Sequence, residues 1–307
     1  MARRLRLGVA LGGGGARGFA HLGVLIALER GGIPVDVVTG TSLGAAMGAA
    51  RALAMDLPRL ARVLGCLDLN ALLQVSSGTM REIQRAIGRG VIEYVRGPTW
   101  RDPDRESPST TRMRDLFSLL TGGRTFADAV LPFAAIAADL ETGEQVILRE
   151  GSLGEAIAAS TAVPGVFPPV SHDGRYLIDG GILDKIPVDV AIDLGAEAVV
   201  AVDTGAPLTR EVHTSFDALL QSERITSRRL TALQLDLAAE QLGGRLLVIR
   251  PPIGWMTMFE FAQLPQAVAA GETAAREKLD EISDMLHRRR RISPRWSPRR
   301  TPPRHEP

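Results

Sequence analysis

Short apolar runs alternate along the chain with longer segments in which apolar residues recur at helical spacing. The short runs predict buried strands, because they are rich in β-branched residues and end at Gly, Asp or Pro. The predicted strands are residues 5–11, 35–40, 131–140, 145–150, 198–203 and 246–251. The helical patterns cover residues 16–30, 43–64, 154–159, 215–241 and 262–287. This alternation predicts an α/β fold with a mostly parallel sheet that is covered by helices.

Residues 66–125 interrupt the alternation. Their first part has a helical pattern, whereas residues 97–111 are polar and rich in proline. We interpret the segment as a helical cap, with a mobile loop at 97–111, that is inserted into one large domain. That domain is predicted to span residues 5–286.

The last residues of the chain, 287–307, have a composition that cannot bury a core. They contain eight arginines and one glutamate, a net charge of +7, which leaves −6 for residues 1–286 of the formal total of +1. The segment is predicted to be a disordered tail. It is interpreted either as a solvated tail or as a basic arm near anionic phospholipid. No aromatic pattern supports nucleic acid as a partner.

Several classes of protein are disfavoured by the sequence. No apolar run reaches the roughly 20 residues of a membrane span. The opening residues 1–15 are interpreted as a first strand and a glycine loop and not as a signal peptide. The single Cys66 excludes an internal disulfide and favours a reducing compartment. We therefore expect a cytoplasmic location, with peripheral contact at the inner membrane surface as a hypothesis. No Cys/His cluster has metal-ligand spacing.

A serine between two glycines is the first candidate for chemistry. The motif Gly40-Thr41-Ser42-Leu43-Gly44 follows a predicted strand and begins a predicted helix. In that context Gly-x-Ser-x-Gly is typical of a sharp turn that exposes a nucleophilic hydroxyl above the sheet edge. The helix that follows places backbone N–H groups beside Ser42, which favours negative charge there. The alternative is a serine that only caps the helix.

A second motif, residues 12–18 (GGGGARG), follows the first strand. Successive glycines let backbone N–H groups converge on an anion, either a pyrophosphate or the oxyanion of an acyl-transfer intermediate. The dinucleotide fingerprint requires an acidic residue at the end of the next strand, but Asp36 lies at its start. Because ends of adjacent parallel strands meet at one edge, we expect the loop to face Ser42. Arg17 is interpreted as holding the loop or meeting a lipid phosphate.

The serine needs a base, and the residues leave two choices. Asp203 with His213 would satisfy the order Ser…Asp…His, although His213 lies in a predicted exposed loop. Asp179 follows an apolar strand, and Gly180 and Gly181 would allow unusual backbone angles there. A partly desolvated carboxylate could take the serine proton directly. The spacing alone does not choose between this base and an ordinary Asp-Gly turn.

Four blocks, in order, resemble the patatin-like phospholipase family, especially its compact bacterial members: GGGGARGFAHLGVL, GTSLGA, ASTAVPGVFPPV and DGGILDKIPVDVA. The resemblance runs from about residue 5 to residue 202. It implies a three-layer α/β/α sandwich with a mostly parallel central sheet and a helical cap. It also implies a lipid acyl hydrolase, a phospholipase A-like carboxylic ester hydrolase, that uses a Ser–Asp dyad without His and needs no cofactor or metal.

By the motif match, the resemblance implies that Ser42 is the nucleophile and Asp179 is the base. It also implies that Gly13, Gly14 and Gly15 form the oxyanion hole. The supporting motif positions are Arg17, Gly18, Gly40, Gly44, Gly180 and Gly181. One departure is Asp184-Lys185, which stands where many relatives carry two asparagines.

The expected partner is a lipid or ester substrate. Residues 251–264 (PPIGWMTMFEFAQL) are a second hypothesis for membrane contact, and their alternative role is packing under the final helix. Two other functions stay open: a dinucleotide-binding module that is supported only by the glycine loop, and a scaffold protein with a vestigial dyad.

Overall fold

The computed structural model describes residues 4–73 and 108–287. Its strands form one sheet, in which β3, Phe133–Asp139, is the longest. The other strands are β1 (Leu7–Leu11), β2 (Val37–Thr41), β4 (Gln145–Leu148), β5 (Val170–His172), β6 (Arg175–Asp179), β7 (Ala198–Val202) and β8 (Leu246–Ile249).

Helices connect most of these strands. Within the described residues they are α1 (Ala20–Arg30), α2 (Leu43–Ala52), α3 (Leu57–Gly65), α4 (Leu69–Leu73), α5 (Pro108–Thr121), α6 (Leu153–Ser160), α7 (Val188–Asp193), α8 (Ser215–Leu242), α9 (Leu264–Arg276) and α10 (Leu279–His287). Short 3-10 turns precede α1 and α9 and follow β6.

The sheet has the strand order β5-β6-β3-β2-β1-β7-β8, and β4 also pairs with β3. Strands β1, β2, β3, β7 and β8 are parallel to one another, and β4, β5 and β6 are antiparallel to their partners. This mostly parallel sheet confirms the predicted fold class. The carboxyl ends of β1, β2, β7 and β8 therefore meet at one edge, which we call the site edge.

Both faces of the sheet are covered, as the continuous burial of β1, β2 and β7 requires. On one face, Val9, Leu11 and Val38 pack with the apolar sides of α1, α2, α6 and α9. On the other face, Ala10 and Val37 pack with residues of α7 and α8. The alternation of neighbouring residues between the two clusters produces the three layers.

The structure changes three of the sequence-based boundaries. The helical pattern over 43–64 is two helices, because Ala54 has a φ of 50° and Asp56 begins α3 by accepting a hydrogen bond from the Arg59 N–H. The end of the loop predicted at 97–111 is helical, since α5 begins at Pro108. The pattern over 262–287 ends in two helices with a break at residues 277–278.

Other parts of those predictions lie outside the described residues. They are most of the 97–111 loop, the middle of the 66–125 cap and all of the 287–307 tail except His287, which ends α10. The part of the cap that is described includes α5, which packs on α6 and buries Met113 and Phe117. None of the helices described is both long enough and apolar enough to cross a membrane.

The helix that follows the glycine loop is held by a close crossing of α1 and α9. A Cβ on Gly23 would lie 1.9 Å from the carbonyl oxygen of Val268, and a Cβ on Gly271 would lie 1.9 Å from that of Ala20. Both contacts are to backbone atoms, which cannot move aside without separating the helices. The absence of two side chains therefore sets the distance between α1 and α9.

We expect Gly23→Ala to lower the free energy of unfolding by about 3 kcal/mol, because the added methyl group forces the two helices apart. The matched control is Gly65→Ala at the end of α3, where a Cβ would meet its nearest atoms at 3.9 and 4.0 Å. That variant should be within about 1 kcal/mol of wild type. Urea unfolding of both variants tests the prediction, and equal stability of the two would contradict the close crossing.

Candidate functional site

Ser42 lies in a strained turn between β2 and α2. Its φ of 57° and ψ of −129° are rare for a residue with a side chain, and such a conformation costs on the order of 1–3 kcal/mol. The turn is possible because its neighbours are glycines. A Cβ on Gly44 would lie 2.2 Å from the carbonyl oxygen of Leu11, and one on Gly40 would lie 2.4 Å from that of Gly44. This is the sharp strand-to-helix turn that the Gly-x-Ser-x-Gly spacing predicts.

The turn is tied to the sheet by Ser160, the last residue of α6. Its buried hydroxyl accepts a hydrogen bond from the Ser42 N–H at 2.8 Å and donates one to the carbonyl oxygen of Ile136 at 2.5 Å. Sequence reasoning included Ser160 only in one of the four blocks that resemble the family and gave it no role. The available signal was one serine among the apolar residues of α6, where a buried hydroxyl needs partners.

Asp179 is brought to Ser42 by the register of β3. Ile136 pairs with Thr41, and the next residue, Ala137, pairs with Asp179 at the end of β6. Thr41, directly before Ser42, and Asp179 therefore lie beside consecutive residues of one strand. Both residues are buried, and the Ser42 hydroxyl lies close enough to Asp179 to lower the pKa of its carboxyl group.

Burial raises the pKa of Asp179 from 3.8 to about 6. The Ser42 hydroxyl, the Gly181 N–H and the Lys185 ammonium favour the charged form and lower the pKa, while the charge of Glu223 raises it. The Gly181 N–H donates to Oδ1 of Asp179 at 2.8 Å. The side chain is thus a carboxylate above about pH 6, fixed by its hydrogen bond from the Gly181 N–H.

The glycines after Asp179 are needed for space and not for unusual backbone angles. Neither Gly180 nor Gly181 has a positive φ, so the expectation of unusual angles is wrong. A Cβ on Gly180 would lie 2.5 Å from the carbonyl oxygen of Ile136, so this position must approach β3 closely. A Cβ on Gly181 would lie 3.0 Å from Oδ1 of Asp179, the atom that its N–H binds.

The glycine loop lies opposite Ser42, where a Cβ on Gly13 would be 3.4 Å from the Cβ of the serine. The N–H of Gly13 donates to the carbonyl oxygen of Lys185 at 3.0 Å, which occupies one of the three donors predicted for an oxyanion. Within residues 4–73 and 108–287, no acceptor binds the N–H groups of Gly14 and Gly15. These two groups are therefore available to a bound anion.

Arg17 holds the loop and does not face solvent. The side chain is 6% exposed, and its guanidinium donates to the carbonyl oxygens of Thr204 and Met256, each at 3.0 Å. Of its two interpretations, the structure therefore supports the one in which it fixes the loop. Gly18 lies against Leu43, with 3.0 Å between its added Cβ and the Cβ of the leucine. The loop is thus fixed against the strand ends and the first turn of α2.

His21 is a packed residue below the same loop. Its Nε2 donates to the carbonyl oxygen of Gly12 at 2.7 Å, and burial lowers the pKa of the ring to about 4. The ring is neutral at pH 7, and in the described part of the chain its Nδ1 has no hydrogen-bond partner. It supports the loop through the carbonyl of Gly12.

The structure does not bring the alternative acid and base together. Asp203 accepts from the Gly205 N–H at 2.9 Å and pairs with Arg250 at 3.2 Å, whereas His213 is exposed in the loop before α8. Asp36 precedes β2 and binds Arg4, at the edge of the sheet opposite the site edge. The acidic residue that a dinucleotide would need at the end of β2 is therefore replaced by the Ser42 turn.

An apolar cleft opens beside Ser42 and Gly15. Its walls come from α2, from α4 and α5 of the cap, and from the segments after α6 and β8. The apolar residues that line it are Leu43, Leu73, Met113, Phe117, Val163, Val166, Phe167, Met258, Phe259 and Phe261. The apolar lining of this space suits a hydrocarbon chain.

The segment 251–264 mostly faces inward. Met256 and Phe259 are buried, and Phe261 packs edge-to-face on Phe19 with 6.0 Å between ring centroids. Trp255 is the exception, with 54% of its surface exposed. Most of the apolar residues that prompted the membrane hypothesis therefore line the cleft or the core.

Comparison with known proteins gives relatives of one family. The family model for patatin-like phospholipase matches residues 9–192. The chain is 31% identical to the uncharacterized NTE family protein Rv2565 of Mycobacterium tuberculosis, over 93% of this chain and 49% of that protein. It is 32% identical to patatin-like phospholipase domain-containing protein 7 of Mus musculus, over 69% of this chain and 14% of that protein. The chain thus spans about half the length of its mycobacterial relatives.

Among solved structures, VipD from Legionella pneumophila aligns with a TM-score of 0.48 and 16% identity, over 93% of this chain and 67% of that chain. The type III effector protein ExoU aligns with a TM-score of 0.45 and 18% identity, over 91% of this chain and 53% of that chain. With a family model that matches more than half of its residues, this chain belongs to the patatin-like phospholipase family.

Proposed function

We propose that the chain is a serine lipid acyl hydrolase, a phospholipase A-like enzyme that cleaves carboxylic ester bonds of lipids. Membership of the patatin-like phospholipase family supports lipid hydrolysis. The observation that carries the finer assignment is the register of β3, which brings the strained Ser42 turn beside the buried Asp179 carboxylate. In this proposal Ser42 is the nucleophile and Asp179 is the base.

The reaction has two steps. Asp179 takes the proton of the Ser42 hydroxyl while the Oγ of Ser42 attacks the ester carbonyl carbon. The N–H groups of Gly14 and Gly15 bind the resulting oxyanion. The protonated Asp179 then gives its proton to the leaving alcohol or lysolipid. In the second step Asp179 takes a proton from water, whose oxygen attacks the acyl-serine, and Ser42 leaves with that proton.

The electrostatics of the site suit this role. A free aspartate is a weak base, but burial brings the pKa of Asp179 to about 6, closer to neutral pH. The residue is still ionised at pH 7, as a base must be. The cleft beside Ser42 supplies an apolar lining for an acyl chain, which favours lipid esters over polar esters.

Ser42 should react covalently with a fluorophosphonate probe, and Asp179→Asn should slow the labelling by about 10²–10⁴-fold because it removes the base. For wild type, the labelling rate should fall tenfold per pH unit below about pH 6, as Asp179 becomes protonated. Mass spectrometry of the labelled peptide identifies the serine. Ser42→Ala should abolish labelling, and Ser171→Ala, at an exposed serine in β5, should not.

Rapid labelling of Asp179→Asn would identify another base and contradict the dyad. Absence of labelling in folded wild type would instead favour the scaffold function, since a vestigial site keeps the residues without the reactivity.

Asp179→Asn should also stabilise the protein at pH 8. The pKa of Asp179 is raised from 3.8 in the unfolded chain to about 6 in the folded one, so the ionised form is disfavoured by folding. The resulting loss in the free energy of unfolding is absent below pH 3.8 and complete above pH 6, where it amounts to about 3 kcal/mol. Asparagine keeps an oxygen for the Gly181 N–H and carries no charge.

Denaturant unfolding of both proteins at pH 4 and pH 8 measures this difference. The variant should gain stability relative to wild type only at the higher pH. Asp173→Asn, in the exposed turn between β5 and β6, is the matched control and should show no such change. A loss of stability in Asp179→Asn at pH 8 would contradict the prediction, because it would mean that folding favours the ionised form of Asp179.

We also propose that Trp255 touches the lipid surface from which the substrate comes. This indole follows β8 at the site edge, and three residues later Met258 lines the cleft. Gly254 lies against Pro207, next to the exposed Leu208 of the loop after β7. These side chains place exposed apolar surface near the entrance to the cleft.

Trp255→Glu should weaken binding to phosphatidylcholine–phosphatidylglycerol vesicles by about tenfold, since it removes the burial of roughly half an indole. Val130→Glu is the control, because Val130 is 65% exposed but precedes β3 at the opposite edge of the sheet. Sedimentation with vesicles measures binding, and hydrolysis of a soluble short-chain ester should be unchanged in both variants. Equal vesicle binding by the two variants would contradict a contact between Trp255 and the lipid surface.

A further inference from the structure

The hydroxyl of Ser160 occupies a place in the sheet that a backbone hydrogen bond would otherwise fill. In the parallel ladder of β2 and β3, the Val38 N–H donates to the carbonyl oxygen of Pro132 at 3.0 Å. Such donors recur at every second residue of β2, so the same pattern four residues later joins the Ser42 N–H to the carbonyl oxygen of Ile136. Both groups bind the Ser160 hydroxyl instead, at 2.8 and 2.5 Å. The side chain therefore bridges the last position of the ladder.

This bridge holds the point at which the chain leaves the sheet. The φ of 57° and ψ of −129° at Ser42 are unfavourable for a residue with a Cβ, and its own side chain forms no hydrogen bond that caps α2. The oxygen of Ser160 separates the Ser42 N–H from the Ile136 carbonyl, so the chain can turn away from β3 while both backbone groups keep a partner. The strained turn is thus fixed by a residue of another element.

The stretch of chain that carries Ser160 also holds Asp179. The carbonyl oxygen of Ala162 accepts a hydrogen bond from the Asp179 N–H at 2.9 Å. Ala162 follows Ser160 by two residues, and both are completely buried at the end of α6. One short stretch therefore binds the backbone of both site residues, Ser42 through a side chain and Asp179 through a carbonyl group.

The same stretch adjoins the apolar cleft without Ser160 itself forming part of its wall. Thr161 and Val163 line the cleft. The Thr161 hydroxyl donates back into α6, to the carbonyl oxygen of Ile157 at 2.8 Å, so it is bound within its own helix. A change confined to the Ser160 hydroxyl therefore leaves the residues that line the cleft unaltered, and its effect on reactivity can be separated from its effect on binding.

We propose that Ser160 is a positioning residue whose hydroxyl, bound between the Ser42 N–H and the Ile136 carbonyl, holds the nucleophile in its strained turn beside Asp179. It also occupies the Ser42 N–H, which leaves the glycine loop to bind the oxyanion. The inference rests on the proposed function for its catalytic meaning, because it takes Ser42 as the nucleophile and Asp179 as the base. It assigns Ser160 no contact with substrate.

Three variants of the full chain and one control test the proposal. Ser160→Ala removes the hydroxyl and leaves two buried backbone groups without their partner. Ser160→Cys fills the space with a sulfur that is a weak donor and acceptor, and Ser160→Thr keeps the hydroxyl. The control is Thr39→Val in β2, which removes a buried hydroxyl that donates to the carbonyl oxygen of Pro187 at 2.8 Å.

The first readout is labelling of Ser42 by a long-chain alkyl fluorophosphonate, with the probe concentration varied so that its affinity and its maximal labelling rate are measured separately. Ser160→Ala and Ser160→Cys should lower the maximal rate about 100-fold, because a displacement of about 1 Å has an effect of that size. The probe affinity should not change, since the cleft is intact. Thr39→Val should label like wild type.

Ser160→Thr should restore most of the maximal rate. This variant distinguishes positioning from packing, because its added methyl group crowds a completely buried site more than the alanine does. If Ser160 only filled space, the threonine variant would be the more damaged of the two.

The second readout does not depend on activity. Ser42→Gly removes the backbone strain, because glycine accepts a positive φ. The change should favour folding about tenfold more in wild type than in Ser160→Ala, where the turn is free to relax. The added freedom of glycine in the unfolded chain is the same in both backgrounds and cancels. Urea unfolding of the four proteins measures this coupling, and Ser160→Cys replaces Ser160→Ala in both measurements if the alanine variant does not fold.

The two readouts separate this inference from the proposed function. If wild type does not label but the coupling is found, the proposed function fails and the positioning of the turn by Ser160 stands. If wild type labels and Ser160→Ala labels at the same maximal rate, the inference is overturned and the proposed function stands. Absence of coupling would also overturn it, as would a loss of probe affinity that Ser160→Thr does not restore, because that pattern indicates a collapsed cleft.

Discussion

The site depends on the point where β3 changes its partner. Up to Ile136 the strand pairs with β2, and from Ala137 onward it pairs with β6. That change places the end of a parallel strand and the end of an antiparallel strand side by side, so a residue following one can touch the last residue of the other. Ser42 and Asp179 are 137 positions apart in sequence, and this register alone makes them neighbours. The hydroxyl of Ser160 is fixed at the same point of β3, because it donates a hydrogen bond to the Ile136 carbonyl oxygen.

The same arrangement concentrates unfavourable contributions to the free energy of folding at one point of the structure. Ser42 has a strained backbone, and Asp179 is a buried carboxylate whose charged form is disfavoured by desolvation. Asp184, next to the site, is also buried, and burial together with the nearby charge of Asp189 raises its pKa. The surrounding layers must offset these costs, which the continuous apolar packing on both faces of the sheet does. A site of this kind is expected to be less stable than its inert variants.

Much of this could be predicted from the sequence, and the reasons for the rest are physical. The apolar alternation predicts the sheet, and the Gly-x-Ser-x-Gly spacing predicts the turn at Ser42, because both are local patterns. The choice between Asp179 and His213 required pairing between distant strands, which spacing does not contain. The occupied N–H of Gly13 was missed for the same reason, since its acceptor is the carbonyl of Lys185. Gly180 was recognised as special but for the wrong reason, because close approach to Ile136 is a tertiary property.

The polar side chains that hold the site in place share one feature, which is that their partners are backbone carbonyls. Arg17 binds two of them, and His21, Thr41 and Ser160 bind one each. A backbone acceptor is present whatever residue occupies its position, so the side chains at 136 and 256 are constrained only by packing. The donors have no such freedom, because each must span a fixed distance to a buried carbonyl. The tolerance of the site to substitution is therefore set by its donors and its glycines.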